Sequence, residues 1–194
     1  MSESPLHVAV IVGSTREGRF GETVARWFAG QARRRSDMLV DVVDLAEIDL
    51  PPVLASQPSP AVQAYAERIE RADAFVVVTP EYNHGYPASL KQAIDLLHAP
   101  WQRKPVGFVA YGGLSGGLRA VEQLRQVFAE LHATTLRDSV SFHQAWTLFD
   151  EAGELLDPRG AVAATQTMLD ELAWWGRALR SARSASLVDA AWQE

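Results

Sequence analysis

Residues 13–21, GSTREGRFG, carry the side chains best suited to bind an anion. Glycine lets backbone N–H groups turn toward a phosphate, and Ser14, Thr15 and Arg16 add hydroxyl and guanidinium donors. The segment follows an apolar run and precedes a helical pattern, so a helix N-terminus would add partial positive charge. This composition predicts a phosphate site; a solvated turn whose arginines face water is the alternative.

Two familiar nucleotide motifs do not fit this segment. A P-loop has Lys and then Ser or Thr after its second glycine, whereas Gly18 is followed by Arg19 and Phe20. The dinucleotide fingerprint has glycine two residues after the first, where this chain has Thr15. The pattern therefore favours a monophosphate over a pyrophosphate.

A second loop, residues 79–87 (TPEYNHGYP), is rich in groups that suit a planar heterocycle. Tyr82 and Tyr86 offer flat apolar faces, and Asn83 offers a donor and an acceptor. The tyrosines could instead seal a junction between helix and sheet. His84 is expected to be exposed, and we assign it no catalytic role.

A third loop, residues 112–117 (GGLSGG), has four glycines, which predicts close approach of its backbone to another group. It also matches the nucleophile elbow G-x-S-x-G, with Ser115 as the nucleophile. A hydrolase would need an acid and a histidine from loops after different strands, but Asp138 and His143 are only five residues apart. We therefore interpret the elbow as a coincidental match and keep the serine hydrolase as a third hypothesis.

These loops must be positioned by strands and helices that alternate along the chain. Apolar, β-branched runs predict five strands, at residues 6–12, 39–45, 74–79, 106–111 and 134–142. Three of the runs are almost continuously apolar, as in parallel strands covered on both faces. Helical periodicity between the runs gives the order βαβαβαβαβα, which predicts an open, doubly wound sheet with ligands at the carboxyl ends of its strands.

Composition narrows the possible partners. The 194 residues carry a net charge of −6 with interleaved cations, so nucleic acid and anionic membranes are not expected. The absence of Cys excludes thiolate metal sites and a cysteine nucleophile, and we expect no metal. No basic leader or membrane-length apolar run is evident, which favours a cytoplasmic enzyme.

The three loops and the helices that follow them lie in the segments GSTREGRFGETVA, TPEYNHGYPASLKQAIDLL and YGGLSGGLRAVEQLR. These segments resemble the NADPH-dependent FMN reductase family, which also contains azo, quinone and chromate reductases. Gln92 stands where the family usually has Asn. The resemblance implies an α/β fold: a flavodoxin-like three-layer αβα sandwich with a five-stranded parallel sheet. That domain is expected over residues 1–182, followed by a tail at residues 183–194.

The resemblance also implies cofactor-binding residues for FMN. The FMN phosphate would be held by the first loop, through Ser14, Arg16, Gly18, Arg19, Phe20 and Gly21. Ribityl and isoalloxazine would meet Pro80, Glu81, Tyr82 and Asn83, with Gly112, Gly113 and Ser115 on the other side. Many members have Ser or Thr near Phe20, so here the backbone N–H of Phe20 is the expected contact.

The implied reaction moves a hydride from NADPH or NADH to FMN and then electrons to a small-molecule acceptor such as a flavin or quinone, with no catalytic side chain. Backbone N–H groups of Tyr82 and Asn83 are expected near the flavin. A flavodoxin-type electron carrier, which binds FMN without oxidising nicotinamide, is the alternative. A homodimer or homotetramer is expected, with Trp101, Trp146, Trp174 and Trp175 either covering a partner or lying in the core.

Overall fold

A computed structural model of the protein describes residues 4–185. Its five strands are β1 (Leu6–Val12), β2 (Met38–Asp44), β3 (Ala74–Pro80), β4 (Pro105–Gly112) and β5 (Thr134–His143). Its five α-helices are α1 (Gly21–Ala32), α2 (Pro60–Arg71), α3 (Ala88–Asp95), α4 (Leu118–Glu130) and α5 (Arg159–Ser184). Three short 3₁₀ turns occupy Leu45–Glu47, Ala99–Trp101 and Ala145–Thr147. Each strand begins and ends within a residue of its predicted position.

All five strands are parallel and lie in the order β2-β1-β3-β4-β5. The chain therefore moves outward from β1 in one direction and then in the other, which places the topological switch point between β1 and β3. This is the flavodoxin-like arrangement, so the predicted fold class is confirmed.

The sheet separates two apolar cores. Val76 and Val78 of β3 face the core that contains α1 and α5 residues, whereas Phe75 and Val77 face the core beneath α2, α3 and α4. Every residue of β3 is buried. Burial on both faces explains why this strand reads as a continuous apolar run instead of an alternating one.

Helix α5 fastens the amino-terminal edge of the sheet. Arg180 donates to the Ser4 and Pro5 carbonyls, and Arg180 and Arg183 both pair with Asp73 at 3.2 Å. The expected domain boundary at residue 182 falls within the last turn of this helix. Of the expected tail, residues 186–194 lie outside the described part of the chain. No helix within residues 4–185 is both long and apolar enough to cross a membrane.

The four tryptophans that could either cover a partner or fill the core differ in their environments. Trp101 is fully buried, and its ring contacts Phe75 at 4.8 Å and Phe128 at 5.6 Å between centroids. Its indole N–H donates to the Ile94 carbonyl at 3.1 Å. Trp175 packs partly against the other core, whereas Trp146 and Trp174 are exposed. Trp101 is thus a core residue.

Trp101→Ala is expected to lower the free energy of unfolding by about 3–5 kcal/mol, because it leaves a large cavity in the core. The control is Val53→Ala, which truncates an apolar side chain that is 69% exposed and should change stability by no more than about 0.5 kcal/mol. Urea denaturation of both variants measures the difference. Equal losses would show that Trp101 does not contribute to the core as described.

Candidate functional site

The loops that follow β1, β3 and β4 surround a cavity of about 420 Å³ at the carboxyl edge of the sheet. This volume lies within the range of about 300–1,000 Å³ usual for small-molecule and cofactor sites. The cavity adjoins the switch point between β1 and β3, where ligands bind in doubly wound sheets. Its lining residues are Arg16, Glu17, Gly18, Arg19, Phe20, Pro80, Glu81, Tyr82, Tyr111, Gly112, Gly113 and Trp146.

The first loop leads into an open helix N-terminus. The Arg19 N–H donates to the Arg16 carbonyl at 3.2 Å, and this turn needs the positive φ of Gly18, 63°. Helix α1 begins at Gly21, and no side chain of the described residues caps its first turn. The N–H groups of that turn are therefore available to an anion, as the sequence predicts.

The two arginines of the first loop have different partners. Arg19 pairs with Asp44 at the end of β2 and with Glu22 in α1, both at 2.7 Å. Its Nε is buried and has no hydrogen-bond partner among the described residues. Arg16 is exposed and forms no ion pair within the described chain. Arg16 is thus the cation with free charge, whereas Arg19 anchors the loop to the end of β2.

Three hydroxyl groups lie close to the first loop: those of Ser14 and Tyr82, which contact each other, and that of Tyr111 beside the start of α1. Ser14 is fully buried, and its Oγ is 2.7 Å from the Tyr82 hydroxyl. The Tyr111 hydroxyl lies so close to Gly21 that a Cβ there would come within 2.5 Å of it. Burial raises the pKa of Tyr111 well above its usual range, so this phenol stays protonated.

The second loop closes with a tight turn. Tyr82 and Gly85 exchange backbone hydrogen bonds of 2.8 and 3.0 Å, and Asn83 and His84 between them have φ of 49° and 69°. Positive φ at both central residues is typical of a type I′ turn. The Tyr82 N–H is used inside this turn, so of the two N–H groups expected near a flavin only that of Asn83 has no protein acceptor among the described residues.

Glu81 joins the second loop to the start of α4. Its carboxylate accepts hydrogen bonds from the Ser115 hydroxyl at 2.5 Å, the Arg119 backbone N–H at 3.1 Å and the Arg119 guanidinium at 2.8 Å. Partial burial by itself raises the pKa of Glu81, but these hydrogen bonds outweigh it and lower the pKa below its usual value. Glu81 is therefore ionised at neutral pH and acts as a trans cap for α4.

The hydrogen bond to Glu81 gives the Ser115 hydroxyl a structural role, and no hydrolase nucleophile is needed to explain it. The Ser115 hydroxyl donates to Glu81, while His143 Nδ1–H donates to the Leu114 carbonyl at 2.9 Å. A nucleophilic serine needs a base within hydrogen-bond distance. The described residues place no histidine in that position.

The glycines of the third loop allow its close approach to the strand. Gly117 has φ of 86°, and a Cβ there would lie 2.8 Å from both the Ala110 Cβ and the Tyr111 N. At Gly113 a Cβ would meet the Trp146 ring at 3.5 Å. The backbone is thus held flat against the end of β4, where it forms one wall of the cavity.

Most of the predicted site residues line this cavity, and four do not. Ser14, Gly21 and Ser115 support the loops from behind, and Asn83 lies at the tip of its turn. The sequence interpretation missed Glu17, Tyr111 and Trp146. Tyr111 could have been found as the next-to-last residue of a strand that ends at the ligand edge.

Residues 6–147 match the sequence pattern of a known family, the NADPH-dependent FMN reductases. The chain belongs to this family. The fission yeast NAD(P)H-dependent FMN reductase C4B3.06c is 37% identical over 131 residues, covering 62% of this chain and 64% of the yeast protein. The quinone reductase of Pseudomonas putida is 33% identical over 178 residues, covering 87% and 93%.

The fold of this reductase is also that of a solved flavoenzyme, the NAD(P)H:(acceptor) oxidoreductase FerB from Paracoccus denitrificans. The TM-score is 0.72 at 22% identity, with 89% of this chain and 97% of FerB covered. The family match over residues 6–147 confirms the resemblance, and the likeness to FerB confirms the expected fold.

Glu81→Gln is expected to lower the free energy of unfolding by about 1–3 kcal/mol at pH 7, because three donors lose a charged acceptor. The folded-state pKa of Glu81 is lowered, so its contribution is present above the unfolded value of 4.5 and is lost as pH falls through the folded value. The difference between the wild-type protein and the variant should therefore shrink below about pH 4.5. Denaturant melts at pH 7 and pH 4 measure it.

The matched control is Glu122→Gln on the same helix, whose side chain is 74% exposed. It should leave stability nearly unchanged at both pH values. A Glu81→Gln variant as stable as this control would contradict the assigned role of Glu81.

Proposed function

We propose that the chain is an FMN-dependent NAD(P)H oxidoreductase that passes electrons to a flavin, quinone or similar small-molecule acceptor. The observation that carries the proposal is a single cavity where an open helix N-terminus meets a wall of aromatic and glycine residues, in a chain of the FMN reductase family. One end of this cavity suits a phosphate, and the other suits a flat ring.

The donor set of the first loop fits the FMN phosphate. Arg16 has free charge, the first turn of α1 has unpaired N–H groups, and the buried Arg19 Nε faces no acceptor within the described chain. The Phe20 ring has no hydrogen-bond donor and packs on Phe149, with 5.5 Å between the ring centroids. Phe20 can therefore contact the phosphate only through its backbone N–H. These groups together would bind a doubly charged monoester.

The flavin ring would lie between the second and third loops. Pro80 and Tyr82 border one side, and Gly112 and Gly113 border the other, with no Cβ to obstruct a planar group. When bound there, FMN supplies the redox chemistry: it takes a hydride from NAD(P)H and returns two electrons to the acceptor.

The chain itself provides binding and orientation, and neither Glu81 nor Tyr111 is poised to transfer a proton. Glu81 is held as a carboxylate by three hydrogen bonds, and burial keeps the Tyr111 phenol neutral. A general acid or base needs a pKa near the working pH, which neither group has. Protons for the acceptor would come from solvent through the open side, where Arg16 and Glu17 are exposed.

Because the chain has no dinucleotide fingerprint, donor and acceptor are expected to use the same face of the flavin in turn. Initial rates with NADPH and menadione should give parallel double-reciprocal lines, as in a ping-pong reaction. Intersecting lines would show that both substrates bind together. A flavodoxin-type carrier, the alternative, would retain FMN yet fail to oxidise NADPH.

Arg16→Ala is expected to weaken FMN binding about tenfold or more, since a charge-assisted contact to phosphate is lost. Riboflavin, which has no phosphate, should bind the variant and the wild-type protein equally. Arg137→Ala, with a side chain 89% exposed on β5, is the matched control and should leave both affinities unchanged. Equal weakening for FMN and riboflavin would place Arg16 away from the phosphate.

We also propose that the reductase is cytoplasmic and forms a dimer or tetramer. The exposed Trp174 and Leu156 support an interface, because aromatic and other large apolar side chains are the kind that a partner subunit covers. Gel filtration at micromolar concentration should give at least twice the monomer mass of 21.3 kDa. A monomer would contradict the assembly.

A further inference from the structure

Two large apolar side chains are exposed at the rim of the cavity. Trp146 follows β5 and is 59% exposed, and Leu114 in the third loop is 84% exposed. Trp146 also lines the cavity itself. Apolar surface beside the mouth of a binding site is a surface that a ligand can cover.

The two side chains lie on loops that are joined rigidly. The Gln144 N–H donates to the Gly113 carbonyl at 3.0 Å, and His143 Nδ1–H donates to the Leu114 carbonyl at 2.9 Å. The Ser141 hydroxyl adds a third bond, to the Gly116 carbonyl at 2.9 Å. The loops after β4 and β5 therefore behave as one unit.

The indole is also fixed against its neighbour. Its Cη2 atom lies so near Gly113 that a Cβ there would be only 3.5 Å away. The hydroxyl and N–H of Thr147 both donate to the Gln144 carbonyl, which holds the turn that carries Trp146. The turn that carries the ring is therefore ordered before a ligand stacks on it, which lowers the entropy cost of binding.

We propose that Trp146 and Leu114 form the platform on which a planar, apolar acceptor of the quinone class stacks while it is reduced. The platform rests on the proposed function, since it belongs to the same cavity. The quinone would gain two electrons and one proton from the NAD(P)H hydride through FMN and a second proton from solvent, and it would leave as the hydroquinone. The products are NAD(P)⁺ and the hydroquinone.

The chemistry of the platform favours a quinone over the nicotinamide donor. NAD(P)H carries a diphosphate, which requires cations, whereas the platform consists of an indole, an isobutyl group and the glycine backbone between them. The cation with free charge in this cavity, Arg16, belongs to the first loop, whereas the platform is carried by the loops after β4 and β5. Aromatic stacking gives affinity for a flat acceptor without any charge.

The test compares two acceptors in the FMN-loaded enzyme. Menadione is planar and apolar, whereas ferricyanide is a compact inorganic oxidant with no face to stack. In Trp146→Ala the ratio of kcat/KM for menadione to kcat/KM for ferricyanide should fall about tenfold, and Trp146→Phe should restore most of it. Leu114→Ser should give a smaller fall in the same direction.

Trp174→Ala and Leu156→Ser are the matched controls, because each removes an exposed apolar side chain outside the cavity. Both should keep the wild-type ratio. An unchanged ratio in Trp146→Ala, or an equal loss for both acceptors, would overturn the platform. A loss confined to the anaerobic reduction of FMN by NADPH would assign Trp146 to the donor and also overturn it.

Failure of the proposed function can be distinguished from failure of the platform, because it would show as a wild-type holoenzyme that does not oxidise NADPH at all. The platform is then tested by equilibrium binding of menadione to the oxidised holoenzyme. Trp146→Ala should weaken that binding about tenfold relative to Trp174→Ala. Equal affinities would overturn the platform.

Discussion

The site depends on one buried carboxylate, that of Glu81 at the end of β3. It accepts from the Ser115 hydroxyl, the Arg119 N–H and the Arg119 guanidinium, and so joins the loop after β3 to the first turn of α4. The same strand end carries Tyr82, which reaches Ser14 in the loop after β1. Three loops from three strands are thereby fixed relative to one another before any ligand binds.

This contact also determines where an external anion can bind. Two helices, α1 and α4, begin beside the cavity, and each has a partial positive charge at its N-terminus. The end of α4 is neutralised by the protein's own carboxylate, whereas no described side chain caps α1. This difference favours the first loop over the third loop as the place where a phosphate would bind.

The fold could be predicted from the sequence because the strands are buried on both faces, and a continuous apolar run such as residues 74–80 has few alternatives. The expected position of the candidate site followed from the same pattern, since parallel strands end at one edge. Individual roles did not follow, because they depend on partners distant in sequence. The pairing of Arg19 with Asp44 spans 25 residues, and that of Ser115 with Glu81 spans 34.

The roles of individual aromatic residues could not be predicted from the sequence either. Trp101 and Trp146 are both near the ends of elements, yet one lies in the core and the other at the rim of the cavity. Sequence position does not separate them, because a residue's burial depends on which helix or loop packs over it. The glycine motif that matches a nucleophile elbow is ambiguous for a similar reason: only the neighbours of Ser115 show that its hydroxyl is used by Glu81.

The central claim is that this cavity holds FMN in a position to be reduced by NAD(P)H and reoxidised by a small acceptor. The most direct measurement is an anaerobic absorbance spectrum of the FMN-reconstituted protein, taken before and after NADPH and again after menadione. We predict that the flavin bands bleach with NADPH and return with menadione. Bound FMN whose bands persist in the presence of NADPH would contradict the account.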